Sequence, residues 1–193
     1  MISSLVMYIT DTLNATKGTW GIGGSQLLYQ YGIVDEVHDL DLIIPDNEVQ
    51  LFTGAMRCIG TEKDVQKKHP FLTTYFFKFC VDQLEVDVMS EFKIGHSDGV
   101  YTYAFTKNSI VEHQIKGKKV PFCKLEDWFI LYQLIPGRER KVKQLENYFM
   151  GNGICYPSIL LAAIEENLPL QMKKRIQTVL DNTIEANGNW KSK

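Results

Sequence analysis

The sequence predicts an α+β fold of the broad α/β class, a mixed β-sheet flanked by helices and followed by a helical C-terminal part. Three observations carry this. The first sixty residues alternate helix-length with strand-length segments. The middle, from Thr73 to Ile115, is rich in Thr, Tyr, Phe and branched residues and reads as hairpins. From Lys124 onward the apolar period is helical. A doubly wound parallel sheet would keep one helix per strand to the end, so the change to hairpins implies a mixed sheet.

In order, a helix is expected from Ile2 to Thr16, with Leu5, Ile9 and Leu13 on one side and Lys17-Gly18 as its stop. Thr19 to Ile22 forms a short strand, Gly23-Gly24-Ser25 a turn, and Ser25 to Tyr31 a helix ended by Gly32. Asp39 to Ile44 is the central strand, closed by Pro45. Asp46-Asn47-Glu48 opens a helix that buries Val49, Leu51, Phe52 and Met56 and ends at Gly60. Glu62 to Pro70 reads as an exposed loop. Thr73 to Val81 and Leu84 to Met89 form an antiparallel hairpin about Asp82-Gln83. Val100 to Phe105, Ile110 to Ile115 and Val120 to Phe122 are further strands, the last two joined through Lys116-Gly117-Lys118-Lys119. The next helix carries Leu125, Phe129, Tyr132 and Leu134 on one side and stops before Pro136-Gly137. Helices follow over Glu139 to Met150, Pro157 to Glu166 and Leu170 to Ala186, and a polar tail over Asn187 to Lys193.

Composition narrows the classes of function. At 193 residues the chain makes one domain, or one with a helical appendage, and can bury a sizeable core. A net charge of -2 supplies no basic field for nucleic acid. Cys58, Cys80, Cys123 and Cys155 are scattered, which disfavours a zinc site or a disulfide framework and fits a reducing cytoplasm. Asp11 interrupts the apolar N-terminal residues before a signal peptide or membrane span develops. The expectation is a cytoplasmic protein without a membrane partner. His38, His69, His96 and His113 have no spacing that implies a metal.

The chemistry concentrates between Trp20 and Pro45. Asp39 and Asp41 interrupt a run that otherwise reads Leu40, Leu42, Ile43, Ile44. Alternation points both carboxylates to one face, about 7 Å apart along the strand. Two carboxylates on one face of a buried strand call for cations to neutralise them. Gly23-Gly24 could be a plain tight turn. With Ser25 opening a helix, its N–H groups would also suit a phosphate. Leu84 to Val88 is apolar on one face and carries Glu85 and Asp87 on the other, which either a solvated face or a site would explain.

Gly23-Gly24-Ser25, a helix-length spacer and Asp39-Leu40-Asp41 resemble the active-site motif of the DNA polymerase beta-like nucleotidyltransferase superfamily. Leu125-Glu126-Asp127 and Gly137-Arg138, each opening a helix, resemble a region of its small antibiotic- and toxin-type members. The resemblance spans residues 18 to 148. It implies a sheet of nucleotidyltransferase type, with 1–123 as catalytic core and 124–193 as a C-terminal helical region. It also implies that Gly23, Gly24 and Ser25 bind the nucleotide. Asp39, Asp41 and Asp87 would be the catalytic, metal-binding carboxylates, with Glu85 as the rival for the third place. The cofactor would be Mg2+ or Mn2+ in a two-metal site, where two ions about 3.5–4 Å apart stabilise both ends of an in-line displacement. The substrate would be a nucleoside triphosphate such as ATP, and the acceptor a hydroxyl of a small molecule such as an antibiotic, of tRNA or of a protein. Relatives often carry a lysine where this chain has Tyr132-Gln133, and an aspartate where it runs Arg138-Glu139-Arg140-Lys141-Val142, so the acceptor pocket is open. Arg138, Arg140, Lys141 and Lys143 make a basic run of the kind usually solvated. The alternative is a catalytically silent nucleotide-binding or regulatory module that keeps the fold. Oligomeric state is not legible.

Overall fold

The computed structural model describes residues 2–66 and 68–187. The described residues fall into two compact units, one within residues 1–93 and 102–123 and one within residues 94–101 and 124–193.

The first unit is built on a seven-stranded mixed sheet. Its strands are β1 (Gly21–Ile22), β2 (Asp39–Ile43), β3 (Thr61–Lys63), β4 (Tyr75–Val81), β5 (Leu84–Ser90), β8 (Ile110–Ile115) and β9 (Lys118–Cys123), in the order β3-β4-β5-β2-β1-β9-β8. The strand with the paired aspartates therefore lies in the middle. It runs antiparallel to β1 and parallel to β5. Helices α1 (Ser4–Ala15), α2 (Gly24–Gln30) and α3 (Val49–Ile59) complete the unit, with α2 against β2 and α3 against β4.

Alternation explains which sheet face is covered. Leu40 and Leu42 of β2, Phe79 and Val81 of β4, Val86 and Val88 of β5, and Ile22, Val120 and Phe122 are all buried. Each large apolar side chain withdrawn from water contributes about 1.5–3 kcal/mol. The opposite face of β2 carries Asp39 and Asp41, both half-buried. α1 starts where Ser3 Oγ accepts a hydrogen bond from Val6 N at 3.2 Å. Glu48, in a 3-10 turn over Asp46–Glu48 that precedes α3, accepts from Thr19 N at 2.7 Å and ties that helix to the lead-in of β1.

Several elements differ from expectation. Thr61–Lys63, of which Glu62 and Lys63 were expected in a loop, is an edge strand antiparallel to β4. Leu51 is exposed, and Thr53 takes the buried place beside Val49, Phe52 and Met56. Only Lys116 and Gly117 turn between β8 and β9, since pairing already begins at Ile115 and Lys118. The strand expected over Val100 to Phe105 is β7 (Gly99–Thr102), which ends at Thr102 and pairs with β6 (Lys93–His96), a strand that was not expected.

The second unit holds α4 (Leu125–Leu134), α5 (Glu139–Asn152), α6 (Pro157–Glu165) and α7 (Leu170–Asn187). α4 is buried nearly all round and not on one side alone. The polar tail beyond Asn187 lies outside the described residues. No helix among the described residues is long and apolar enough to cross a membrane. None of the four cysteines, Cys58, Cys80, Cys123 and Cys155, is in a disulfide.

Candidate metal and nucleotide site

Backbone register assembles the carboxylates. Asp41 of β2 stands directly opposite Asp87 of the parallel strand β5, and Asp39 opposite Glu85. Opposed residues on neighbouring strands share a face. The three aspartates thus converge, each offering one oxygen, with these oxygens within 4.8 Å of one another.

The turn before α2 is bonded to the same strand. Gly23 N donates to Asp41 O at 2.9 Å. Ser25 Oγ donates to Asp39 Oδ1 at 3.3 Å. Gly24 adopts φ +58, and a Cβ there would lie 1.7 Å from Asp41 Oδ2. Glycine is required at this position twice over, by the left-handed backbone and by the carboxylate against it. The sequence-predicted residues Gly23, Gly24, Ser25, Asp39, Asp41 and Asp87 are thereby gathered in one place. Gln26, in the first turn of α2, is buried, and its Nε2 has no hydrogen-bond partner among the described residues.

Burial pushes the Asp87 carboxyl above its usual range; Lys78 opposes the shift, while Asp39 and Glu85 add to it. Glu85 is solvent-exposed, and the Lys78 and Lys63 ammoniums hold it below the usual carboxylate range. Its oxygens lie 3.1 Å from Lys78 Nζ and 3.4 Å from Lys63 Nζ. Of the two rival carboxylates, half-buried Asp87 joins the aspartate cluster, and exposed Glu85 lies between two lysines outside it.

Lys78 escaped the reading of the sequence. It is the one charge within Tyr75–Val81, and a lone cation in an apolar strand was the signal available. Opposite Asp87 in the β4–β5 ladder, its ammonium lies 3.3 Å from Asp87 Oδ1. Burial alone would lower the Lys78 pKa, but Glu85 and Asp87 together reverse this and raise it.

The site suits a hard divalent cation. Its donors are carboxylate oxygens at mutual distances that one or two ions could bridge, as Mg2+ and Mn2+ prefer. The backbone of Gly24 leaves Asp41 the room it occupies.

The second unit gives the other predicted segments different settings. Glu126 opens α4 but is buried, its Oε1 accepting from Cys155 N and Tyr156 N, each at 2.9 Å. Lys141 Nζ donates to Tyr132 Oη at 3.4 Å and lies over that ring, and Lys143 pairs with Glu146 at 3.2 Å. Among the histidines, His113 lies 3.2 Å from Tyr31 Oη and edge-on to Phe122.

No protein-family model matches the chain, and no curated protein is similar in sequence. Solved structures are similar in fold. A Thermotoga maritima protein assigned as a nucleotidyltransferase superposes with a TM-score of 0.59 at 20% identity, over 77% of this chain and 92% of that one. ANT(2″)-Ia, in complex with adenylyl-2″-tobramycin, gives 0.56 at 12% identity, over 91% and 96%. The lincosamide antibiotic adenylyltransferase LnuA, lincomycin-bound, gives 0.53 at 16% identity, over 76% and 97%. The fold is that of the nucleotidyltransferases.

Proposed function

We propose that this chain, which carries the fold of the DNA polymerase beta-like nucleotidyltransferases, moves a nucleoside monophosphate from a nucleoside triphosphate to a hydroxyl acceptor. The observation that carries the proposal is the convergence of Asp39, Asp41 and Asp87 beside a Gly-Gly-Ser turn bonded to the same strand. A binding-only descendant of the fold needs no such set.

Residues 1–123 form the catalytic core in this reading. Asp39, Asp41 and Asp87 hold divalent metal, Mg2+ or Mn2+, which when bound neutralises charge on the reacting phosphate and the departing pyrophosphate. Gly23, Gly24 and Ser25 seat the triphosphate tail, and the Ser25 hydroxyl can turn from Asp39 toward phosphate oxygen. Asp87 also accepts the proton of the acceptor hydroxyl. Positioning and fixed charge supply most of the acceleration. Small molecules such as the antibiotics handled by two of the similar structures, RNA and protein hydroxyls are the acceptor classes to assay.

Calorimetric titration of a non-hydrolysable triphosphate in the presence of Mg2+ tests the site. Wild type binds, and Asp41→Asn loses at least tenfold in affinity, about 1.4 kcal/mol. Equal affinity in the two proteins would remove Asp41 from the site.

A further inference from the structure

The charges beside the aspartate cluster form an ordered row. From the edge strand inward, Lys63 Nζ lies 3.4 Å from Glu85 Oε1, Lys78 Nζ lies 3.1 Å from Glu85 Oε2, and the same Nζ lies 3.3 Å from Asp87 Oδ1. Sign alternates from Lys63 to Asp87. Cross-strand register holds the inner part of the row, because Lys78 is opposite both Lys63 and Asp87. The Asp87 side chain is 14% exposed and that of Lys78 27%, so their attraction is screened less than that of a surface pair. Among the described residues Asp87 Oδ1 accepts no hydrogen bond of good geometry, and the Lys78 ammonium is a cationic neighbour.

An ammonium and a divalent cation that draw on one carboxylate compete for it. We infer that Lys78 is a positioning residue that balances Asp87 when no metal is bound, then yields it to an incoming divalent cation while remaining on Glu85. The inference rests on the reading of the aspartate cluster as a metal site and adds an exchange of cations to it. Lys78 then keeps the cluster from repelling itself apart before metal arrives. Glu85 needs no metal contact to matter, because it is where the released ammonium stays.

The exchange predicts opposite signs for the two partners of Lys78. Loss of Lys78 removes the competitor and tightens metal binding. Loss of the Glu85 charge leaves the ammonium with Asp87 alone and weakens it. General electrostatics predicts the same two signs, so coupling between the changes is what discriminates. Without Lys78 there is no ammonium to hold, and Glu85 should cease to matter.

Mn2+ titration without nucleotide, read by calorimetry and by the electron paramagnetic resonance of free Mn2+, decides it. Lys78→Met is expected to bind Mn2+ about fivefold tighter than wild type and Glu85→Gln about fivefold weaker, within the range of coupled neighbours. The Glu85→Gln loss should vanish in the Lys78→Met/Glu85→Gln double variant. Lys78→Arg, which keeps the charge, should stay within about twofold of wild type, as should Lys63→Met, which touches Glu85 but not Asp87. Should Lys78→Met not fold, Lys78→Gln carries the same expectation. Unchanged or weaker binding in the Lys78 variant overturns the exchange, and so does an equal Glu85→Gln loss in both backgrounds. Mn2+ binding that Asp41→Asn abolishes, yet Lys78→Met leaves unchanged, removes the exchange and keeps the metal site. Absence of Mn2+ binding by every protein removes both.

Discussion

Gly24 and Gly32 share one backbone feature and differ in another, which makes them a controlled pair. Both have positive φ, +58 and +67. A Cβ on Gly32 would meet nothing within 4 Å, whereas one on Gly24 would lie 1.7 Å from Asp41 Oδ2 and 2.6 Å from its Cγ. Gly32→Ala therefore carries only the left-handed cost, about 1–2 kcal/mol. Gly24→Ala carries that cost and must also swing the Asp41 carboxylate off its resting rotamer, roughly 0.5–1.5 kcal/mol more. At about 2–4 °C per kcal/mol for a chain of this size, the Gly32 variant should melt about 2–8 °C lower and the Gly24 variant about 3–14 °C lower. The informative readout is the rise in Tm on adding Mg2+ and a non-hydrolysable triphosphate, followed by scanning calorimetry. Ligand stabilises only a protein whose native state binds it. Gly32→Ala should keep the full rise, and Gly24→Ala should lose most of it. A full rise in Gly24→Ala would show that the Asp41 carboxylate need not lie where it does, and the account of this turn would be wrong.

Two further outcomes concern the second unit. Burial pushes Glu126 above the usual carboxylate range, against its backbone hydrogen bonds from Tyr156 and Cys155. A raised folded pKa means stability that is complete below the unfolded pKa and lost as pH rises through the folded one. Glu126→Gln keeps an acceptor for both N–H groups and cannot ionise, so urea titrations across pH should show it gaining on wild type above pH 4.5; a pH-independent difference would contradict this. Replacing Arg138 and Lys141 together should leave triphosphate affinity within about threefold, well under 1.4 kcal/mol, while impairing use of the acceptor. Loss of nucleotide affinity equal to that of Asp41→Asn would place these residues in the triphosphate site instead.

The carboxylates were legible because they contradict their surroundings. Asp39 and Asp41 interrupt a branched apolar run, and the alternation of β5 puts its two carboxylates, Glu85 and Asp87, on one face. The choice between those two was not legible. What separates them is register against β2, which sets Asp87 opposite Asp41, and burial, which draws Asp87 into the cluster and leaves Glu85 exposed, and both are long-range facts. Thr61–Lys63 was missed because an edge strand exposed at every residue has no apolar period and pairs through backbone alone. Leu51 was placed inside because it is large and apolar, but α3 turns Thr53 inward, where its hydroxyl donates to Val49 O at 2.8 Å. The first turn of a helix is a normal place for an acidic residue at the surface. That Glu126 instead lies inside, holding the chain at Cys155 and Tyr156, shows only once those residues are folded against it.

The central claim is nucleotidyl transfer at the aspartate cluster, and the position of a radiolabel tests it most directly. Wild type and Asp41→Asn would be incubated with Mg2+, pooled RNA, protein and antibiotic acceptors, and triphosphates labelled on either the α- or the γ-phosphorus. The account predicts that α-label becomes bound to an acceptor and γ-label leaves as pyrophosphate, and that both changes cease in Asp41→Asn and on removal of Mg2+. Transfer of the γ-label, or α-label transfer that survives loss of the Asp41 charge, would contradict it.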